Sequence, residues 1–218
     1  MVDTVLFDLW NTLIYCPTKD RLTEVIKLLG LEGKVDYKRL IEDAEKTMFL
    51  DAKFNDRKFF KWVCEKYMVS CDGKKLDAAV RIWKSRLDGA KLFPESVEVI
   101  ERLGKVYKLG LVSNIEASGV EYMRRRHDML LKHFDVVIMS CNVGLAKPDE
   151  RIFKLAMEKL KSKPDETVMV GDYPRVDIES ALNAGLHAVL IDRGGVHACR
   201  HMKVKSLNDL DEVIKRIK

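Results

Sequence analysis

Five short runs rich in Val, Ile and Leu recur along the chain, at Thr4 to Phe7, Leu109 to Val112, Val136 to Met139, Thr167 to Val170 and Ala188 to Ile191. Runs this short and this continuously apolar read as strands buried on both faces, the mark of a parallel sheet. Amphipathic segments at Ser96 to Lys105, Gly119 to Lys132, Glu150 to Lys161 and Asp177 to Ala184 separate the later runs. Strand and helix in alternation predict an α/β fold, a doubly wound parallel sheet with right-handed crossovers.

The stretch between the first and second runs breaks the alternation. Helical periodicity recurs there in Leu22 to Leu29, Tyr37 to Leu50, Arg57 to Tyr67 and Lys75 to Leu87, with no strand-like pattern. An insertion of this size directly after the first strand exceeds a simple crossover. It is expected to form a separate helical cap over residues 15–88 that re-enters a core of residues 1–14 and 89–218 near Phe93-Pro94. Ligands of open α/β sheets bind beyond the carboxyl ends of the strands, where such a cap would sit.

Composition narrows the function classes. A chain of 218 residues that is 47% hydrophobic and 33% charged is that of a soluble globular protein, and no apolar run is long enough to span a bilayer. The N-terminus enters the first apolar run without a basic leader, so a cytoplasmic enzyme is expected. The five cysteines, Cys16, Cys64, Cys71, Cys141 and Cys199, are scattered without a CxxC pair and are expected to be reduced. His197, Cys199 and His201 lack a further ligand for zinc and follow a Gly-Gly turn, so they are not taken as a metal site. The net charge of +5 is dispersed, and Arg124 to Arg126 is a short run suited to a solvated helix face, which argues against a nucleic-acid partner. Glutamine is absent while Lys and Glu abound, a bias of hyperthermophile proteins that the nine Met and five Cys weaken.

Three of the predicted strands deliver polar residues at their carboxyl ends. The first ends in Asp8, within Phe7-Asp8-Leu9-Trp10-Asn11-Thr12; the second in Ser113-Asn114; the fourth in Gly171-Asp172, with Asp177 five residues on. Between the third and fourth strands, Gly144-Leu145-Ala146-Lys147-Pro148-Asp149 sets a lysine just before a helix start. An ionised Asp8 can attack phosphorus and form an acyl phosphate, dividing one displacement into two. Repulsion between that carboxylate and a phosphate dianion calls for magnesium, with Asp172 the first choice as further ligand and Asp177 in support. Ser113 would hydrogen-bond a phosphoryl oxygen and Lys147 would neutralise its charge, with Thr12 and Asn114 completing the substrate cradle. As plain structural features, Asp8 and Asp172 would open turns, Asp177 would cap a helix, and Lys147 would be a solvated loop cation.

In this order the residues resemble the haloacid dehalogenase superfamily, largely phosphatases and phosphotransferases despite its name. Asp8 to Thr12 is similar to its first motif, Ser113 to its second, Lys147 to its third, and Gly171-Asp172 with Asp177 to its fourth. Phe134-Asp135-Val136-Val137 and Ile191-Asp192-Arg193-Gly194-Gly195 are also similar to segments of that group. The resemblance implies a Rossmann-like core, a helical cap after the first motif, magnesium dependence, and a small phosphorylated metabolite as substrate. It also implies a metal contact from the backbone carbonyl of Trp10.

One position departs from the pattern. Two residues after the nucleophile, the superfamily's phosphatases carry an aspartate that protonates the leaving group and then activates water; here it is Trp10, whose indole only donates a hydrogen bond. Trp10 is either a specificity element or core packing against the cap. Three readings stay open: a phosphatase with another source of protons, a metal-free 2-haloacid dehalogenase or a phosphonatase, and a non-catalytic relative. The Gly171, Asp172 and Asp177 pattern favours the first. Arg39, a candidate carboxylate clamp for a dehalogenase, stands among Glu42, Asp43 and Glu45, and no Schiff-base lysine stands out in the cap.

Overall fold

The computed structural model describes residues 1–17, 21–198 and 201–217; Cys199 therefore lies outside the described residues. Among the described residues there are eight strands: β1 (Thr4–Phe7), β2 (Ile14–Tyr15), β3 (Lys91–Leu92), β4 (Lys108–Ser113), β5 (Val136–Met139), β6 (Thr167–Gly171), β7 (His187–Ile191) and β8 (Lys203–Val204). Six form one sheet in the order β5-β4-β1-β6-β7-β8, every pair parallel. The chain winds outward from β1 to β4 and β5, then crosses back to β6, so the order reverses around β1. That switch point is where an open sheet leaves a crevice beyond its carboxyl ends.

The continuous apolar runs are explained by two buried faces. Val5, Phe7, Leu109, Leu111, Val168 and Val170 enter one hydrophobic cluster, while Leu6, Val112 and Met169 point the other way into a second. Helices α1 (Arg21–Leu29), α2 (Tyr37–Glu45), α3 (Asp56–Lys66) and α4 (Gly73–Asp88) lie between β2 and β3 and bury a third cluster of their own, including Leu29, Leu40, Phe60 and Trp83. Asp36, Asn55 and Asp72 start α2, α3 and α4 as N-caps, each side chain accepting a backbone N–H three residues on. The remaining helices are α5 (Ser96–Leu103), α6 (Ala117–Arg126), α7 (Asp128–Leu131), α8 (Ser140–Val143), α9 (Arg151–Leu160), α10 (Ser180–Asn183) and α11 (Leu210–Lys215). β2 and β3 pair antiparallel, and Tyr15 stacks on Phe93 at 4.7 Å, so the helical unit leaves and returns through a two-stranded stalk.

Several expectations need correction. Cys64 and Cys71 form a disulfide between the end of α3 and the loop before α4, so these two are not reduced. The helix expected over Tyr37 to Leu50 stops at Glu45, and Thr47 to Leu50 continue as tight turns. The expected Gly119 to Lys132 helix starts earlier and breaks at His127 into α6 and α7. The segment from Asp177 begins as a wide π turn over Pro174–Glu179, since Pro174 fixes its first residue and offers no N–H. β8, with only two residues, carries too short a pattern to read. Among the described residues no helix is long and apolar enough to cross a membrane.

Candidate active site

Asp8 follows β1 directly, its backbone N–H donating to Val170 of β6. The chain then turns back sharply: Leu13 and Ile14 both donate to the Leu9 carbonyl, and Asn11 takes φ +57°, a left-handed conformation that Asn tolerates better than most residues. This turn lets the Thr12 hydroxyl reach Asp8 Oδ2 at 3.3 Å. Lys147, 2% exposed, runs in from the loop after α8 and donates to Asp8 Oδ1 and Asp177 Oδ1, both at 2.6 Å. The other Asp177 oxygen accepts the Tyr173 backbone N–H at 3.0 Å. Gly171 makes this approach possible, because a Cβ there would lie 2.5 Å from Asp177 Cβ, Cγ and Oδ2. Asp8, Asp172 and Asp177 each offer a carboxylate oxygen, all within 4.8 Å of one another. Ser113 ends β4 completely buried, and its hydroxyl has no hydrogen-bond partner.

Three carboxylates thus crowd together while the Lys147 ammonium bridges only two of them, Asp8 and Asp177. Burial pushes the Asp8 carboxyl up to about 6, against the pull of Lys147 and with a further push from Asp177. Asp172 is driven up to about 8 by burial, then by the charges of Asp8 and Asp177, and a hydrogen bond from the Asn11 side chain only partly offsets this. Burial opposes the charge on Lys147, but Asp177 and Asp8 outweigh it and hold the ammonium above its ordinary value. A negative excess inside a desolvated crevice is a site short of cations. Carboxylate oxygens are the donors that suit a hard divalent ion, so the residues present fit magnesium. The orphaned Ser113 hydroxyl is a buried polar group of the kind that an anionic ligand satisfies.

The sequence profile of the haloacid dehalogenase-like hydrolases matches residues 2–185. The chain belongs to that family. Among similar curated proteins, the phosphoserine phosphatase of Thermus thermophilus is 36% identical over 106 residues, covering 47% of this chain and 41% of the relative. The chain thus spans less than half the length of that relative. The N-acylneuraminate-9-phosphatase of Homo sapiens is 28% identical over 99% of this chain and 95% of its own length. Two solved structures share the fold. A 2-haloacid dehalogenase from Pseudomonas syringae superposes with a TM-score of 0.69 at 24% identity, covering 99% of both chains. A haloacid dehalogenase family enzyme from Bacteroides thetaiotaomicron, in complex with magnesium and inorganic phosphate, gives 0.65 at 18% identity, over 89% of this chain and 96% of its own.

Within this hydrolase of the haloacid dehalogenase family, the sequence reading brought Asp8, Thr12, Ser113, Lys147, Asp172 and Asp177 to one sheet edge, and there they converge. Asn114 stands apart from its expected place on substrate. Its amide donates to the Lys147 carbonyl at 2.7 Å and accepts the Lys147 N–H at 2.8 Å, so both of its polar atoms hold the backbone of the lysine. Trp10 is half-buried against the cluster under β1, where it bridges to Ile14. Arg39 pairs with Glu42 at 3.3 Å within α2.

Two residues with site contacts escaped the sequence reading. Asn11, given no role of its own within the first motif, has a side chain that hydrogen-bonds Asp172. Arg193 lies 3.5 Å over the Phe93 ring, pairs with Glu95 at 2.5 Å and donates to the Thr12 carbonyl at 3.0 Å, fixing the site turn to the stalk. Its signals in the sequence were its place just after the last long strand and the likeness of Ile191 to Gly195 to a family segment, neither of which assigned it a contact.

Proposed function

We propose that the chain is a magnesium-dependent phosphatase that acts on a small phosphorylated metabolite through a phosphoryl group carried on Asp8. One observation carries the reading: three carboxylates, from Asp8, Asp172 and Asp177, lie within 4.8 Å of one another with a single ammonium, Lys147, bridging Asp8 and Asp177, and Ser113 at the end of β4 offers a buried, unpartnered hydroxyl. Phosphatase-named relatives over nearly the whole chain support it, as does the magnesium and phosphate held by a protein of the same fold.

Asp8 and Asp172 would hold the metal with the Trp10 carbonyl, and Asp177, both of whose oxygens already accept protein donors, would support it. Bound there, magnesium screens the charge between carboxylate and phosphate and orients the two. Asp8 attacks the phosphorus and the bond from phosphorus to the leaving oxygen breaks. Lys147 and Ser113 hold the charge on the non-bridging oxygens. The leaving alkoxide takes its proton from water, because the indole of Trp10 is no acid, and the hydroxide so formed is neutralised by the dihydrogen phosphate released in the second step. Water then attacks the phosphoryl group on Asp8, the phosphorus–Asp8 bond breaks, inorganic phosphate departs and the carboxylate is restored. The helical unit over the crevice acts as the cap that selects substrate.

The test is a panel of phosphoesters and acyl phosphates assayed with and without magnesium, on the wild type and Asp8→Asn. Magnesium-dependent phosphate release lost in Asp8→Asn is expected. Halide release from 2-haloacids without metal would overturn the reading.

A further inference from the structure

Across the joint between the helical unit and the sheet, an ion pair sits out of water. The Arg86 guanidinium of α4 pairs with the Glu116 carboxylate, the two side chains being 17% and 3% exposed. Glu116 stands immediately before α6, where a carboxylate would ordinarily cap the helix, yet it makes no capping bond. Its oxygen faces the helical unit instead. Arg86 is itself braced, with its guanidinium 3.6 Å over the Trp83 ring and a donated bond to the Trp83 carbonyl at 2.9 Å. Beside the pair, the Ser118 hydroxyl lies 3.0 Å from both Glu116 Oε1 and Asp56 Oδ1 of α3, and Lys84 approaches Asp56 at 3.7 Å.

What Glu116 belongs to gives this joint its meaning. From Ser113, the last residue of β4, the chain runs through a three-residue loop, Asn114 to Glu116, each residue of which is fastened. Ser113 offers the orphaned hydroxyl. Asn114 grips the Lys147 backbone in both directions. Ile115 donates its N–H to Ser140 Oγ at 2.9 Å and accepts that hydroxyl at 3.2 Å. Gly119 lets α6 settle onto this loop, for a Cβ there would fall 2.6 Å from Ile115 Cγ1 and 3.2 Å from Glu116 Oε1. The same loop therefore holds Ser113, orients Lys147 toward Asp8 and Asp177, and ends in the carboxylate that the helical unit grasps.

We propose that Arg86 is a positioning residue for the reaction: by pairing with Glu116 when the helical unit sits on the sheet, it fixes the Asn114–Glu116 loop and thereby the Ser113 hydroxyl and the Lys147 ammonium. Closure over substrate and assembly of the phosphoryl-binding groups then become one event, which delays the active arrangement until the crevice is covered. A buried pair is suited to this, since separating its members leaves uncompensated charge and the closed arrangement is strongly specified. The inference rests on the proposed phosphatase reading for its kinetic consequence, though the coupling itself is structural.

The experiment uses the full chain with magnesium and p-nitrophenyl phosphate, and compares Arg86→Met, Glu116→Gln, the double variant and Arg86→Lys. Each single change is expected to lower kcat by about 10- to 100-fold while KM moves by less than about threefold. The double variant is expected to be no slower than the slower single one, as for two residues acting through one contact, and Arg86→Lys to regain part of the loss. Losses that multiply in the double variant, or a kcat unchanged while thermal stability falls, would overturn the inference and leave the phosphatase reading standing. If the wild type turns over no phosphoester, that reading fails separately, and amide hydrogen exchange with inorganic phosphate and magnesium present decides the coupling. Exchange at residues 114–116 and 147 faster by about tenfold or more in Arg86→Met and less so in Arg86→Lys supports it; exchange equal to the wild type overturns it.

Discussion

In the proposed phosphatase reading Trp10 takes the position from which a carboxylate would give a proton to the leaving group and later take one from water, and among the described residues the side chains hydrogen-bonded to Asp8, Thr12 and Lys147, are donors. Hydrolysis of the phosphoryl group on Asp8 should therefore be the slow half of the reaction. Placing a carboxylate there, as Trp10→Asp, is expected to speed dephosphorylation in single-turnover measurements by a factor of about 10²–10⁴, the usual worth of general acid–base help. An unchanged rate would point to a proton carrier elsewhere. Asp172 makes a second prediction. With its carboxyl pushed up to about 8 and that of Asp8 to about 6, at pH 7 the metal-free protein holds Asp172 mostly protonated and Asp8 mostly ionised. Magnesium needs both unprotonated, so binding at pH 7 should expel close to one proton. Apparent affinity should be level above pH 8, weaken as pH falls below it, and weaken more steeply below 6. Calorimetry in buffers of different ionisation enthalpy reads this directly, and binding without proton release would mean that the Asp172 carboxyl is not held protonated at pH 7 in the metal-free protein. At this scale the placement of Asp8, Ser113 and Asp172 at one edge of the sheet was legible because each lies at or just beyond a strand end, whereas Asp177 reaches it through the turn over Pro174–Glu179 and Lys147 through the loop after α8. Asn114 was misread because its partner, the backbone of Lys147, is a contact across 33 residues that no local pattern encodes.

Among elements, the junction of β6 with the π turn over Pro174–Glu179 shows how backbone shape carries the site. The wide turn returns Asp177 under the end of β6, and only a glycine at 171 leaves room for it. Gly171→Ala should push the Asp177 carboxylate away and with it one of the two anchors of Lys147, lowering kcat by about 100-fold, as misplacement of about 1 Å can. Circular dichroism should show the fold retained, and near-wild-type kcat would mean that Asp177 does not place Lys147. The five long strands were readable because burial on both faces writes a continuous apolar run. The π turn was not, since the helical periodicity of Asp177 to Ala184 is the same whether the first turn is wide or regular. Nor was the disulfide: Cys64 and Cys71 are separated by seven residues, a spacing that becomes a 6.4 Å Cα–Cα approach only once α3 ends and the chain doubles back toward α4.

At the scale of the whole molecule, the helical unit is joined to the sheet through a two-stranded stalk, Leu87 of α4 packed into the main core, the Ala52 N–H donated to the Cys141 carbonyl at 2.9 Å, and the charged joint around Glu116, among other contacts. The periodicity of the insertion announced helices, and its length announced that they lie off the sheet. Which of their side chains face the crevice depends on how the stalk is set by Arg193 and Phe93, and that is tertiary information. Chemistry is the part of the account common to every substrate, and it turns on whether Asp8 takes up the phosphoryl group. The direct measurement is acid quench during turnover of a phosphoester with magnesium, followed by peptide mass spectrometry. The account predicts one phosphoryl group on the peptide containing Asp8, accumulating because Trp10 slows its release, and absent from Asp8→Asn or when magnesium is withheld. Turnover with no phosphoryl group at Asp8, or with the group on another residue, would contradict it.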